Sequence, residues 1–157
     1  MPSHKRYEED ILNPIVEKYF QEKGFQVKHE ITISLDKFPK LKKQSPRIRF
    51  DIIGASKDET VIIEIKAAVY PQILGTCIGE LLTYKTIFSE YFDSIKSNFT
   101  ALQKDKIKVY CAFPDFNCPY SKWSPEYDSL FKNVCGNYNS NIGLLLIKEK
   151  SPSDNVI

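Results

Sequence analysis

The chain has 157 residues, 42% of them hydrophobic, with 22 Lys and Arg against 20 Asp and Glu, a net charge of +2. That length suits one domain, since roughly 100–150 residues is the commonest size, and the composition excludes a disordered chain, a histone-like polycation and an acidic tail protein. A nucleic-acid partner stays open, because patches of charge matter more than their sum.

No stretch reaches the roughly 18 apolar residues of a membrane helix. The charged start, Met1 to Asp10, lacks the apolar core of a signal peptide. The expectation is a cytoplasmic chain in which Cys77, Cys111, Cys118 and Cys135 are reduced thiols. Their spacing lacks the pairs of a zinc site.

In chain order, the first predicted element is a helix over 7–23. Ile11, Leu12, Ile15, Val16, Tyr19 and Phe20 recur on one face, Pro14 kinks it or marks its true first turn, and Gly24 stops it. A strand follows over 25–34, where Phe25, Val27, His29, Ile31 and Ile33 share one parity. Residues 35–49 read as a basic loop, with Lys37, Lys40, Lys42, Lys43, Arg47 and Arg49. Strands are predicted over 48–54 and 61–67, with a polar turn between them. Pro71 opens a long helix to about residue 97. A strand over 107–113, a helix over 125–135 and a strand over 142–147 complete the domain, residues 1–150, and 151–157 read as a flexible tail. Three clustered strands can meander antiparallel, whereas the later helix–strand alternation demands parallel crossovers. The predicted architecture is α/β, a mixed central sheet flanked by helices.

The informative residues are charges inside apolar strands. Asp51 interrupts Ile48, Phe50, Ile52 and Ile53; Glu64 and Lys66 interrupt Val61, Ile62, Ile63 and Ile65. Charges there are costly unless paired or metal-bound. Glu64 and Lys66 share a face by alternation. A four-residue turn over 56–59 pairs residue 55 with 60, 54 with 61 and 51 with 64, so Asp51 and Glu64 converge. Two such carboxylates repel unless something positive lies between them, and a hard divalent cation suits them. A Glu64–Lys66 ion pair beside a solvated Asp51 fits the same pattern.

The segments Arg49-Phe-Asp51-Ile-Ile-Gly54 and Val61-Ile-Ile-Glu64-Ile-Lys66-Ala67 resemble the PD-(D/E)xK nuclease superfamily, whose restriction-endonuclease-like αβββαβ core is similar to the predicted order. Phe50 stands where that motif has Pro. The resemblance implies Asp51, Glu64 and the carbonyl of Ile65 as metal ligands and Lys66 as the catalytic lysine. It implies a further acid from the first helix, Glu8 or Glu9, with Glu17 a weaker candidate. Glu80-Leu-Leu-Thr-Tyr84 is similar to the Gln-x-x-x-Tyr motif of some branches, with Glu for Gln; residues 80 and 84 share a helix face. The implied activity is Mg²⁺- or Mn²⁺-dependent hydrolysis of DNA phosphodiester bonds, with endonuclease action expected. Members of that superfamily often form homodimers. Arg47, Arg49, Lys42 and Lys43 are the expected nucleic-acid contacts, with Lys5 and Arg6 as additions. The alternative is a nuclease-like fold that binds nucleic acid or a protein partner without cleaving.

Three other features have ordinary expected roles. Gly75 and Gly79 imply close helix–sheet packing, or else backbone access for a phosphate. Phe116, Tyr120 and Trp123 imply a satellite packing cluster, with base stacking the alternative. His29 is expected to be a hydrogen-bonded core or edge histidine.

Overall fold

In the computed structural model, which describes residues 3–116, 118–120, 122–137, 140–148 and the backbone of 151–155, one six-stranded sheet organises the chain. The elements are α1 (His4–Tyr7), a π-helical turn (Glu8–Leu12), α2 (Asn13–Glu22), β1 (Gln26–Ser34), α3 (Pro39–Gln44), β2 (Arg47–Ala55), β3 (Thr60–Ile65), α4 (Pro71–Glu90), α5 (Phe92–Lys96), β4 (Ile107–Pro114), α6 (Pro125–Asn137), β5 (Ile142–Lys148) and β6 (Ser151–Asn155). The strands lie in sequence order. β1, β2 and β3 meander antiparallel, β4 and β5 run parallel to β3, and β6 returns antiparallel. The expected mixed α/β sheet flanked by helices is present.

Each face of the sheet has its own core. Leu12, Val16 and Phe20 of the first helical segment cover one face, against Ile52, Val61, Ile63, Ile65 and Tyr110. Leu74, Cys77, Ile78, Leu81, Phe88 and Phe131, from α4 and α6, cover the other, against Phe50, Ile53, Ile62, Cys111 and Phe113. The parallel connections explain this division. β3 to β4 and β4 to β5 step in one direction along the sheet, so crossovers of one hand place their helices on one face.

The first helix runs further than expected and is not uniform. Pro14 occupies the first turn of α2 and has no N–H to give. Just before it the Asn13 N–H reaches back five residues to the Glu8 carbonyl, which makes the π-helical turn. Glu8 and Glu9 therefore sit where the helix is locally widened.

β1 departs from the expected alternation. Phe25 and Val27 pack with the α2 face, whereas Ile31 and Ile33, of the same parity, pack with the α4 face. Between them Glu30 has φ 54°, a left-handed conformation that non-glycine residues seldom take. β2 changes face at the matching place: Phe50 packs with the α4 side and Ile52 with the α2 side. The β1–β2 ladder pairs His29 with Ile52 and Ile31 with Phe50, and passes over Glu30 and Asp51. The hairpin is thus creased at Asp51. A side chain at the crease belongs to neither face and can meet groups from both.

Several expectations need correction. The basic loop contains α3, and the long helix ends at Glu90, where Tyr91 leaves helical geometry. Tyr91 is buried and its hydroxyl accepts the Lys37 N–H at 2.8 Å, which ties the helix end to the loop. Ser151–Asn155, expected in a flexible tail, is an edge strand on β5; residues 156 and 157 lie outside the described residues. Gly75 and Gly79 do not pack on the sheet. A Cβ at either would meet nothing within 4 Å. Gly79→Ala in the middle of α4 should therefore stabilise the protein by about 0.5–1 kcal/mol, seen as a higher urea midpoint at unchanged slope.

Candidate metal and phosphate site

The site forms where β2 and β3 part. Ile52 pairs with Ile63, Gly54 with Val61 and Ala55 with Thr60, the register expected from the turn. The ladder stops one pair before Asp51 and Glu64. There the Asp51 carboxylate replaces a ladder carbonyl, accepting the Ile65 N–H at 3.0 Å. Glu64 and Lys66 project on the α4 side, opposite in sense to fully buried Ile63 and Ile65. Lys66 Nζ lies 2.8 Å from Glu64 Oε1 and 2.7 Å from Glu80 Oε2. From the opposite face Glu8 Oε1 accepts the Ala67 N–H at 2.8 Å. The crease and the widened helical turn bring the two faces together here.

These groups open into a cavity of about 620 Å³, lined in part by Asp51, Glu64, Lys66 and Tyr84, with Arg47 and Arg49 at its basic side. Glu64 is only 4% exposed, and its buried Oε2 has no donor among the described residues, while its carboxyl faces that of Asp51. That orphaned oxygen, beside Asp51, is an open acceptor for a cation. Among the described residues no group of three His, Cys, Asp or Glu stands at metal-ligating spacing; Asp51 and Glu64 put two carboxylates on the one cavity. An oxygen-seeking ion that keeps several waters matches such a set.

The charges explain why the pair is poised. Burial, then the neighbouring Asp51, push the Glu64 carboxyl up to about 9, against the pull of Lys66. Burial likewise raises Asp51, opposed by the Ile65 N–H and Lys66, and raises Glu8. Burial alone would lower the Lys66 ammonium, but Glu64 and Glu80 together carry it above its ordinary range. A lysine held this way acts as a fixed charge and donor, not as a base. Burial, then Glu64, Glu80 and Asp51, keep the Tyr84 hydroxyl protonated.

The Glu64 carboxyl titrates near 4.5 when unfolded and near 9 when folded. Between those values the folded state holds a proton that the unfolded state has released, so stability falls as pH rises. Metal-free protein should lose melting temperature steadily from pH 5 to pH 9. A divalent cation, which displaces that proton, should flatten the slope. Melts in EDTA and in Mn²⁺ across that range measure both.

The expected site residues divide clearly. Asp51, Glu64, Lys66, Glu80 and Tyr84 come together, with Tyr84 against Phe50 at 5.1 Å between ring centroids. Ile65 is fully buried and contributes its N–H to Asp51. Of the two helix acids, Glu8 enters the cavity, and Glu9 instead pairs with Arg49 at 3.2 Å. Glu17 is absent from the site, because it is bound to the edge histidine His29 at 2.7 Å. Arg47, Arg49 and Lys5 line the cavity. Lys42 does not, being paired with Asp36, and neither do exposed Lys43 and Arg6, the latter paired with Asp10.

Trp123 is buried in the α4-side core between Phe113 and Tyr127, with its indole N–H on Asp128, whereas Phe116 and Tyr120 pack with the α2-side core, Tyr120 on His4 and Tyr7, so the three do not form the one satellite cluster expected. Cys77 and Cys111 are core residues. Sequence reasoning missed Ser45 and Ile48 in the cavity wall, and Glu30 beside Arg49.

No family model and no curated protein matches the chain. Among solved structures, an XisH family protein from Nostoc punctiforme aligns with a TM-score of 0.59 at 13% identity, over 94% of this chain and 100% of that one. The protein of unknown function AF1548 aligns at a TM-score of 0.40 and 16% identity, over 87% of this chain and 56% of that one. The first likeness shows a shared fold. No helix among the described residues is long and apolar enough to cross a membrane.

Proposed function

We propose that the protein is a nuclease of the PD-(D/E)xK type, hydrolysing DNA phosphodiester bonds with Mg²⁺ or Mn²⁺ in the cytoplasm. One observation supports this reading above the rest. Asp51 and Glu64 reach one cavity from adjacent strands, with Lys66 on the Glu64 face and arginines on the cavity wall. A structural ion-pair network needs no such opening.

Asp51 and Glu64 would hold the metal. Once bound, it supplies a water of lowered pKa and neutralises phosphate oxygens. The chain's own residues do the rest. Ile65 fixes Asp51 through its N–H, and Glu8 fixes the end of β3 through Ala67. Lys66, aimed by Glu80, donates to the attacking water or to the crowded phosphate, where a preorganised charge is worth most. Tyr84 keeps its proton and can donate to a phosphate oxygen. Lys5, Arg47 and Arg49 draw the polyanion to the cavity.

The second reading is a binding module that does not cleave. Lys66 already neutralises Glu64 and Glu80 without any metal, which favours it. Incubation with single- and double-stranded DNA and RNA, in Mg²⁺, Mn²⁺ or EDTA, separates the two. The nuclease reading expects cleavage of DNA that EDTA stops. Salt-dependent binding with no cleavage in either metal would support the module instead.

A further inference from the structure

The mouth of the cavity holds an arrangement that the hydrolytic roles leave unused. Arg49 Nη1 lies 3.2 Å from Glu9 Oε1 and 3.8 Å from Glu30 Oε1, and Arg49 Nη2 lies 4.0 Å from Asp51 Oδ1. One guanidinium thus faces carboxylates from the π-helical turn, β1 and β2. Two of these acids sit in unusual backbone: Glu9 in the widened helical turn, and Glu30 at φ 54° in the crease. The Glu30 side chain is 46% exposed. The left-handed turn at Glu30 carries β1 from one face of the sheet to the other and sets the Glu30 carboxylate beside Arg49, a rare conformation at the edge of a cavity.

We propose that Glu9 and Glu30 form a displaceable cradle for Arg49, which a backbone phosphate of the nucleic-acid strand takes over on binding. The proposal rests on the nucleic-acid reading above. Phosphate offers a guanidinium two parallel, charge-assisted hydrogen bonds, whereas the single distances to Glu9 and Glu30 describe looser pairs. Both acids are exposed enough to turn into water at small cost. Asp51, at 17% exposed, is not, so it stays behind with its other partners. The cradle holds Arg49 at the cavity mouth while empty, keeps it from collapsing onto Asp51, and makes entry depend on an anion strong enough to displace two carboxylates. Glu9 and Glu30 are positioning residues in this scheme, and Arg49 is the contact.

The test is anisotropy of fluorescein-labelled single-stranded and duplex DNA with the full chain, in Ca²⁺ in place of Mg²⁺, between about 50 and 200 mM salt. Variants are Glu9→Gln, Glu30→Asn, which tolerates the left-handed backbone, Arg49→Ala, and each acid variant combined with Arg49→Ala. Either acid variant should tighten binding about three- to tenfold. Arg49→Ala should weaken binding, reduce the salt slope by about 0.7–0.9, and erase most of the gain from either acid variant. A merely structural Glu30 would show no such dependence on Arg49. No tightening, or tightening that persists without Arg49, overturns the cradle. If wild-type protein cleaves DNA but shows that result, the nuclease reading stands and the cradle falls. If it neither binds nor cleaves either form of DNA, both fall together.

Discussion

Glu64→Gln should cost metal-dependent cleavage about a thousandfold, because a lost ligand removes several kcal/mol of charge stabilisation and each 1.4 kcal/mol is about tenfold in rate. The same substitution should stabilise the metal-free protein by about 1–3 kcal/mol at pH 8. The two signs have one cause. Glu64 is 4% exposed, one of its oxygens has no donor among the described residues, and Asp51 stands beside it. Folding must therefore either bury a charge or take up a proton at that position. Glutamine keeps the shape and demands neither, while Lys66 keeps Glu80. Thermal melts in EDTA together with cleavage rates in Mg²⁺ measure the pair. An acid serving only as structural glue to Lys66 would behave oppositely, and its loss would destabilise. Strain that is tolerated for a task is the usual form of the trade between stability and activity.

Lys66→Ala should do the reverse to stability. Glu64, Glu80, Asp51 and Glu8 would face each other without the ammonium that now lies 2.8 Å from Glu64 and 2.7 Å from Glu80. Removing one partner of a largely buried pair costs about 3–5 kcal/mol at pH 8. Most of that loss should return as pH falls towards 5, because Glu64, Asp51 and Glu8, raised by burial and then further by loss of the ammonium, protonate and cease to repel. Cleavage should fall by about 10²–10³, the value of one preorganised donor at a developing charge. Urea titrations at both pH values read the stability. Cleavage that continues unchanged in this variant would remove Lys66 from the mechanism, and stability that is no better at pH 5 would remove the carboxylate cluster as the cause.

The parts of the site that arithmetic can reach were legible in the sequence. A four-residue turn fixes one register, and that register alone brings Asp51 to Glu64 and Glu64 to the face of Lys66. Helical spacing placed Glu80 and Tyr84 together, and both meet the site. What the sequence hid depends on rare backbone. Nothing in the string of residues announces that Glu30 is left-handed, so the change of face in β1 and the crease at Asp51 could not be read. The choice between Glu8 and Glu9 turned on a π-helical turn set just before Pro14, where one extra residue rotates which acid points inward. The glycines of α4 misled for a different reason. Periodicity shows which residues share a stripe, and Gly75 and Gly79 share one that faces away from the sheet. Surface lysines give no hint of their partners, so the pairing of Lys42 with Asp36, away from the cavity, could not be read.

A metal-dependent nuclease needs the Asp51–Glu64 pair to take a divalent cation. Crystals soaked in Mn²⁺ and measured at its absorption edge give the answer directly. One strong anomalous peak is expected between the Asp51 and Glu64 carboxylates, on the side of Glu64 Oε2, together with its loss in Asp51→Asn. Saturating Mn²⁺ with no peak there, and Lys66 still bridging Glu64 and Glu80, would contradict the nuclease reading.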